Sequence, residues 1–316
     1  MRMRDTGARW VAIVAFGVVA MPVETEGQTA NGISAGRDLQ GVWDFRSVVP
    51  FERPDDLVGR ETLTEEEAAA FAQERVDAFN VDLRRDENGR IPLSGGYNNF
   101  WYDRGISIGE ERRTSLVVDP PDGKIPARTA AAEQRGGERS ALLRRDAYGP
   151  EDRGAFERCI LGFNAGPPMN PSAYNNNMQL FQTSDHVAIL NEMVHDVRVI
   201  PLDGSPYVAD EVRQWRGDSR GHWEGDTLVV ETRNFTGKTS FRGSGENMQL
   251  VERFTRLDVG SLLYEYTVDD PVSFARPWSV RVVMERSDSP MFEYACHEGN
   301  YGMENLLVAA RAVDQE

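Results

Sequence analysis

The sequence is poor in residues that hold metals or form cross-links. Its 316 residues include two cysteines and four histidines. It contains neither a CxxC nor an HExxH motif, so a zinc site has little support, and two cysteines exclude a disulfide-dense mini-protein. Apolar stretches long enough for a bundle of membrane helices are absent from the sequence, as is any collagen-like glycine period.

Positive charge is also in short supply. Lysine and arginine number 35 against 51 aspartates and glutamates, which gives a formal net charge of −16. This charge repels nucleic acid and anionic lipid, so neither is expected as a partner. The 40% of hydrophobic residues indicates a folded chain rather than a disordered one.

Residues 1–27 are typical of a secretory signal peptide. Three arginines precede an eleven-residue apolar run from Trp10 to Ala20, and a polar segment follows. Eleven residues are too few to span a bilayer, and the order of basic, apolar and small residues is that of export. We therefore expect a secreted or periplasmic protein without a membrane span in its mature chain. The alternative is a buried amino-terminal helix.

Export bears on the two cysteines, because extracytoplasmic compartments are oxidising. The simplest prediction is one disulfide between Cys159 and Cys296. The alternative is a reactive thiol, since Cys296 is followed by His297.

The remaining chain divides into two parts that we expect to form one folded unit. Residues 28–158 are predicted to be a helical and irregular amino-terminal layer. In it, Thr64 and Glu67 form a capping box that begins a helix over Glu65–Arg85. Residues 127–158 are predicted to be an exposed excursion, in which Gly136-Gly137 separates two short helices.

Residues 159–316 show the pattern of an all-β region. Short apolar segments alternate with turn residues such as Asp203-Gly204. The fold expected is a lipocalin- or calycin-like antiparallel barrel, or a strongly curved meander. The predicted strands are Met178–Thr183, His186–Met193, Val197–Pro201, Thr227–Thr232, Gln249–Arg256, Leu262–Val268, Trp278–Arg286 and Met291–Cys296.

Carboxylates and histidines in this region are candidates for acid–base chemistry. If strand glutamates point into a barrel, desolvation raises their pKa values; if they point outward, they are ordinary surface charges. Both orientations stay open at this point, because a shift of one residue exchanges them. The residues selected as catalytic candidates are His195, Glu265, Glu293 and His297, with Arg198 as an anion partner.

Amides and aromatic side chains are candidates for ligand binding, since together they suit a sugar or another polar ring. The residues selected are Trp101, Tyr174, Asn176, Gln179 and Tyr266. No cofactor or metal is expected. The weak metal alternative is His222 with Glu224, which are two residues apart and share a face on a strand. The sequence GDSRG at 217–221 matches the nucleophile-elbow pattern, but a strand rather than a helix is expected after it.

Several long motifs carry a resemblance to known proteins. They are RTSLVVDPPDG at 113–123, GDSRGHWEGDTLVV at 217–230, VERF at 251–254 and YACHEGNY at 294–301. On these motifs the chain resembles a large group of functionally uncharacterised secreted proteins of environmental bacteria. The resemblance implies export and a shared fold, and it assigns no catalytic residue.

Three functions remain open. The first is an exported hydrolase, lyase or isomerase that acts on a small organic or glycosidic molecule. The second is a barrel that binds a small ligand without chemistry. The third is an envelope or interaction protein, which a filled interior and an exposed Phe100-Trp101-Tyr102 segment would favour. The sequence does not indicate an oligomeric state.

Overall fold

The computed structural model describes residues 34–90 and 97–313, so the predicted signal peptide lies outside the described residues. Over these ranges the protein is mainly β, with ten strands in one antiparallel sheet and three α-helices, as the sequence predicts. The strands are β1 (Gly41–Asp44), β2 (Val117–Asp119), β3 (Asn177–Gln182), β4 (His186–Asn191), β5 (Asp196–Pro201), β6 (Asp218–Glu224), β7 (Thr227–Arg233), β8 (Gln249–Arg256), β9 (Ser261–Asp269) and β10 (Trp278–Ser287). The helices are α1 (Glu65–Phe79), α2 (Ala130–Arg144) and α3 (Tyr301–Val313).

The sheet consists of two meanders joined by a strand from the amino-terminal layer. The strand order is β5-β4-β3-β1-β10-β9-β8-β7-β6, and β2 also pairs with β10. Trp43 of β1 pairs with Met178 of β3 on one side and with Arg286 of β10 on the other. The shortest strand of this path therefore lies in the middle of the sheet.

The sheet curves until its two end strands meet. A Cβ atom on Gly221 of β6 would lie 3.0 Å from Cγ2 of Ile200 in β5. Arg216, just before β6, also forms an ion pair with Asp196 of β5. No backbone hydrogen bond pairs these strands in the described part of the chain, so the sheet is strongly curved but not closed.

Alternate residues of the strands fill the interior. Trp43, Phe254, Tyr264, Tyr266 and Trp278 are all at most 1% exposed. Burial of a large apolar side chain contributes roughly 2–3 kcal/mol before entropy losses. The interior is a packed core.

Two strand predictions are corrected by the structure. Met291–Cys296 is irregular, because the neighbouring strand β10 already pairs with β1 and β9. Asp218–Glu224, which is not among the predicted strands, is strand β6. Its Ser219 is buried and lies 2.9 Å from Oγ1 of Thr232 on β7, which is not the setting of a nucleophile elbow.

Helix α1 begins as predicted and ends earlier than predicted. In α1, the Thr64 hydroxyl accepts from the amide of Glu67 at 3.3 Å and the Thr64 amide donates to the Glu67 carboxylate at 3.0 Å. The helix ends at Phe79 instead of Arg85, where Asn80 accepts a hydrogen bond from the amide of Asp82. Helix α2 runs through Gly136-Gly137 without a break, so the predicted division into two helices is wrong.

Candidate functional site

A charged cleft lies between the outer side of the sheet and the loop that follows residue 98. Its volume is about 390 Å³, and its lining includes Asp44, Arg46, Tyr102, Arg104 and Glu285. A second cavity of about 450 Å³ shares Arg46 and Glu285 with it. We name the first cavity the Arg46 cleft, because that side chain lies where the two cavities join.

Arg46 holds two carboxylates of the cleft. Its Nε lies 2.7 Å from Oδ2 of Asp44, and its Nη1 donates to Oδ1 of Asp103 at 2.6 Å. The hydrogen bond with Asp103 is the main reason that the pKa of Arg46 is raised. The planar guanidinium therefore fixes both acids with one side chain.

A third carboxylate stands opposite Asp44. Glu285 of β10 is its direct cross-strand partner, and like charges in that position repel. Burial raises the pKa of Asp44, and the charges of Asp103 and Glu285 raise it further. Such crowding of carboxylates around a shared cation is costly for a folded protein, and it is often retained for binding or chemistry.

Arg104 lies between aromatic rings. Its guanidinium carbon is 4.1 Å from the centre of the Tyr102 ring and 5.0 Å from that of Phe79. Burial lowers the pKa of Arg104. Its Nη1 is buried without a hydrogen-bond partner in the described structure. Because Arg104 lines the cleft, the oxygen of a ligand can satisfy this donor.

The segment that lines the cleft from Asn99 to Ser107 also carries exposed apolar side chains. Phe100 is 82% exposed, Trp101 60% and Ile106 81%. The Phe100 and Trp101 rings meet edge to face with centroids 5.5 Å apart, and the Tyr97 and Trp101 rings also meet edge to face, with centroids 6.3 Å apart. We call the three aromatic side chains, Tyr97, Phe100 and Trp101, the aromatic rim. Exposed apolar clusters of this kind are candidates for an interaction surface.

Three of the predicted ligand-binding residues gather around this loop. Trp101 is in the aromatic rim, and Tyr174 contacts Tyr102 with ring centroids 6.5 Å apart. Burial raises the pKa of Tyr174 to about 12. Asn176 is buried and donates to the backbone oxygen of Asp103 at 2.7 Å, so it supports the loop from beneath.

The other two lie elsewhere. Gln179 is half-buried on the outer side of β3 and does not line the cleft. Tyr266 is buried in the core, where its hydroxyl donates to Asn170 at 2.6 Å.

The two histidines of the predicted catalytic set lie close together beside the loop that joins β4 to β5. The ring centroids of His195 and His297 are 6.3 Å apart, and Nδ1 of His195 lies 3.3 Å from the backbone oxygen of Tyr294. The predicted disulfide between Cys159 and Cys296 is confirmed, and it adjoins His297.

The backbone of this hairpin loop is strained. Val194 and His195 have φ values of 62° and 43°. A β-branched residue in the left-handed region is rare and costs on the order of 1–3 kcal/mol. Glu293 is exposed in the same carboxy-terminal segment as His297.

Glu265 and Arg198 lie away from the histidines. Glu265 is half-buried on the outer side of β9, where Arg281 donates to it at 3.1 Å and to Glu111 at 2.6 Å. Arg198 is inside the sheet and pairs with the fully buried Glu252. The structure therefore distributes the predicted acid–base set over three places.

The metal alternative is an exposed surface pair. Nε2 of His222 lies 3.3 Å from Oε1 of Glu224, whose other oxygen accepts from Arg253 at 2.8 Å. In residues 34–90 and 97–313 no group of three histidine, cysteine or acidic side chains is placed to hold a metal ion.

Sequence reasoning missed the charged residues of the Arg46 cleft. Asp44 and Arg46 have the i, i+2 spacing of one strand face, and Asp103-Arg104-Gly105 directly follows the aromatic segment. These patterns were available in the sequence, but the proximity of the two segments depends on the position of β1 in the sheet.

Comparisons with known proteins do not assign a family or a function to the chain. No protein-family model and no curated protein sequence matches the chain. The chain is similar to a crystal structure of a secretary abundant heat soluble (SAHS) protein from Ramazzottius varieornatus, at 11% identity over 35% of this chain and 70% of that one. The TM-score is 0.24, too low to support an inference about fold or function. Among the described residues, no helix has the length and apolar character needed to cross a membrane.

Proposed function

We propose that the protein is an exported binding protein and that it recognises a carbohydrate-type, polyhydroxylated ligand at the Arg46 cleft. The observation that carries the proposal is the exposed aromatic rim beside a cleft of forked polar side chains. The apolar face of a sugar ring packs on an aromatic face, while carboxylates and guanidinium groups bind neighbouring hydroxyls in pairs.

The distribution of buried and exposed aromatic side chains supports a binding site on the surface of the protein rather than in a cavity inside the sheet. The interior is filled by side chains such as Trp43 and Tyr264, whereas Phe100 and Trp101 are exposed. This combination is the one that favours an interaction protein among the three functions left open by the sequence. Export is proposed from the signal-like segment, and the disulfide is compatible with it.

The experiment is a screen against an immobilised panel of neutral and acidic oligosaccharides, followed by calorimetric titration of the strongest binder. We expect Trp101→Ala to weaken binding by tenfold or more, because in this proposal the Trp101 ring is the surface on which the sugar ring packs. The matched control is Phe292→Ala, since Phe292 is also an exposed aromatic residue, 68% accessible, but lies in the carboxy-terminal segment.

Arg46→Lys tests the polar half of the site. An ammonium group cannot reproduce the bridge from Nε to Asp44 and from Nη1 to Asp103, so binding should weaken while the melting temperature changes little. Absence of binding by the wild-type protein across the panel, or equal affinities of Trp101→Ala and Phe292→Ala, would overturn the proposal.

A second candidate function is acid–base catalysis at His195 and His297. It is favoured by the approach of the two rings and by the strained loop that holds His195, because strain of this kind clusters at functional sites. We expect hydrolysis of some members of a nitrophenyl ester and glycoside panel, lost in His297→Gln and retained in His222→Gln. Equal rates in both variants would remove this candidate.

A further inference from the structure

A third cavity differs from the other two in its chemistry. It has a volume of about 260 Å³ and lies between residues 154–168 and residues 235–248, with Trp215 at its side. None of the described residues that line it is charged, although 27% of the residues of this chain are. We name it the aromatic crevice.

The floor of the crevice belongs to the main core. Phe235 and Met248 are at most 4% exposed. Phe241 stacks on Trp278 with centroids 5.9 Å apart and an interplanar angle of 18°, and it meets Tyr266 edge to face at 6.0 Å. A molecule in the crevice would therefore contact side chains that are already fixed by packing.

The opposite wall is a loop with little freedom to move. Phe156 and Phe163 meet edge to face with centroids 4.9 Å apart. Within this loop Cys159 is joined to Cys296. A Cβ atom on Gly162 would lie only 2.5 Å from Cγ of Met193, so the backbone packs directly on the hairpin loop. The crevice is thus formed before a ligand arrives, which reduces the entropy lost on binding.

Hydroxyl groups on the crevice are engaged in holding its shape. The Ser240 hydroxyl donates to the backbone oxygen of Ser244 at 2.8 Å, and the Ser244 hydroxyl donates to that of Phe241 at 2.7 Å. Two cations lie close by but are not part of the lining among the described residues. Arg158 lies over the Trp215 ring at 5.9 Å. Arg135 passes behind Gly245, where it donates to the Gly243 backbone oxygen at 3.1 Å and to the Ser273 hydroxyl at 2.6 Å. Recognition in the crevice therefore depends on apolar and ring contacts.

We propose that the aromatic crevice is a second ligand site, which takes a small uncharged aromatic molecule of one or two rings. The volume is too small for a peptide helix. An ionised ligand would lose hydration without gaining a partner charge from the lining, whereas a neutral ring finds aromatic faces and edges on several sides. The site is separate from the Arg46 cleft and does not depend on its function.

The test uses 1-naphthol, a two-ring fluorescent probe that is uncharged at neutral pH, with the full-length oxidised protein. We expect saturable binding of one probe per chain, displaced by indole and not by benzoate at equal concentration. Phe163→Ala should weaken binding at least fivefold. Phe181→Ala is the matched control, because Phe163 and Phe181 are 42% and 45% exposed and only the first lines the crevice.

Two further variants separate the sites. Thr239→Trp should fill the crevice and abolish probe binding, with a melting curve to show that it is folded. Trp101→Ala, on the aromatic rim, should leave probe affinity unchanged. Lack of saturable binding by the wild type, equal loss in Phe163→Ala and Phe181→Ala, or loss in Trp101→Ala would overturn the proposal.

Discussion

Replacement of Glu252 by glutamine should destabilise the protein strongly. Glu252 is fully buried, and Arg198, its partner, is 8% exposed. The carboxylate accepts hydrogen bonds from both terminal nitrogens of Arg198 and, at 2.8 Å, from the Tyr264 hydroxyl. Glutamine keeps the shape of the side chain but removes its charge, so a buried guanidinium is left without compensation.

The size of the effect follows from this burial. Removal of one partner of a buried ion pair costs about 3–5 kcal/mol, because the remaining charge has lost its hydration and gains nothing in return. For a chain of this size the melting temperature should fall by on the order of 10 °C. Replacement of both partners, Arg198→Met with Glu252→Leu, should recover most of the loss, because neither charge of this pair is then left buried.

Urea denaturation followed by circular dichroism measures these changes, provided that the transition has one step and an unchanged slope. The matched control is Glu265→Gln, which also removes a glutamate paired with an arginine, but on the half-exposed outer side of β9. A surface pair contributes at most about 1 kcal/mol. If Glu252→Gln cost no more than Glu265→Gln, or if the double variant were less stable than the single one, the burial argument would be refuted.

Three further predictions concern stability. Cys159→Ser combined with Cys296→Ser should lower the free energy of unfolding by about 2–5 kcal/mol, because the disulfide closes a long loop in the unfolded chain; identical calorimetric curves would contradict this. Gly137→Ala should raise it by about 0.5–1 kcal/mol, since Gly137 lies inside α2 with open space around its Cβ position. Gly225→Ala should lower the free energy of unfolding, because Gly225 also has open space around its Cβ position but has a φ of +60°. Between pH 10 and about 12 stability should fall as pH rises, because unfolded Tyr174 has lost its proton while the folded protein retains it up to a pKa of about 12; Tyr174→Phe should flatten this slope in alkaline denaturation titrations.

The sequence is a good guide to the strands that bury one face. The alternation of Tyr264 and Tyr266 with Glu265 predicts β9 nearly to its ends, because successive side chains of a strand point alternately into the core and towards solvent. Strand β6 was missed because its inner positions are Ser219 and Gly221, which carry no hydrophobic pattern. Gly221 is small for a reason that only the fold reveals, since a Cβ there would lie 2.6 Å from Leu202.

The site was less predictable than the fold. The exposed aromatic segment around Trp101 was recognised from composition, but the acids beside it were not. Asp44 and Asp103 are brought to the Arg46 guanidinium by β1 and by the loop next to it. No local sequence pattern predicts that these two segments lie close together. In the same way, the approach of His195 to His297 depends on the disulfide and on a hairpin loop with an unusual backbone.

The central position of β1 has a consequence for the order of folding. Its four residues pair with segments that are synthesised more than a hundred residues later, ending with Ser287 opposite Val42. Until that residue is available, the edge of β1 that β10 covers has no partner, and open edges invite pairing with other chains. Completion of the sheet is therefore a late, long-range event, which slows folding. A segment of only four residues therefore covers one edge of each meander.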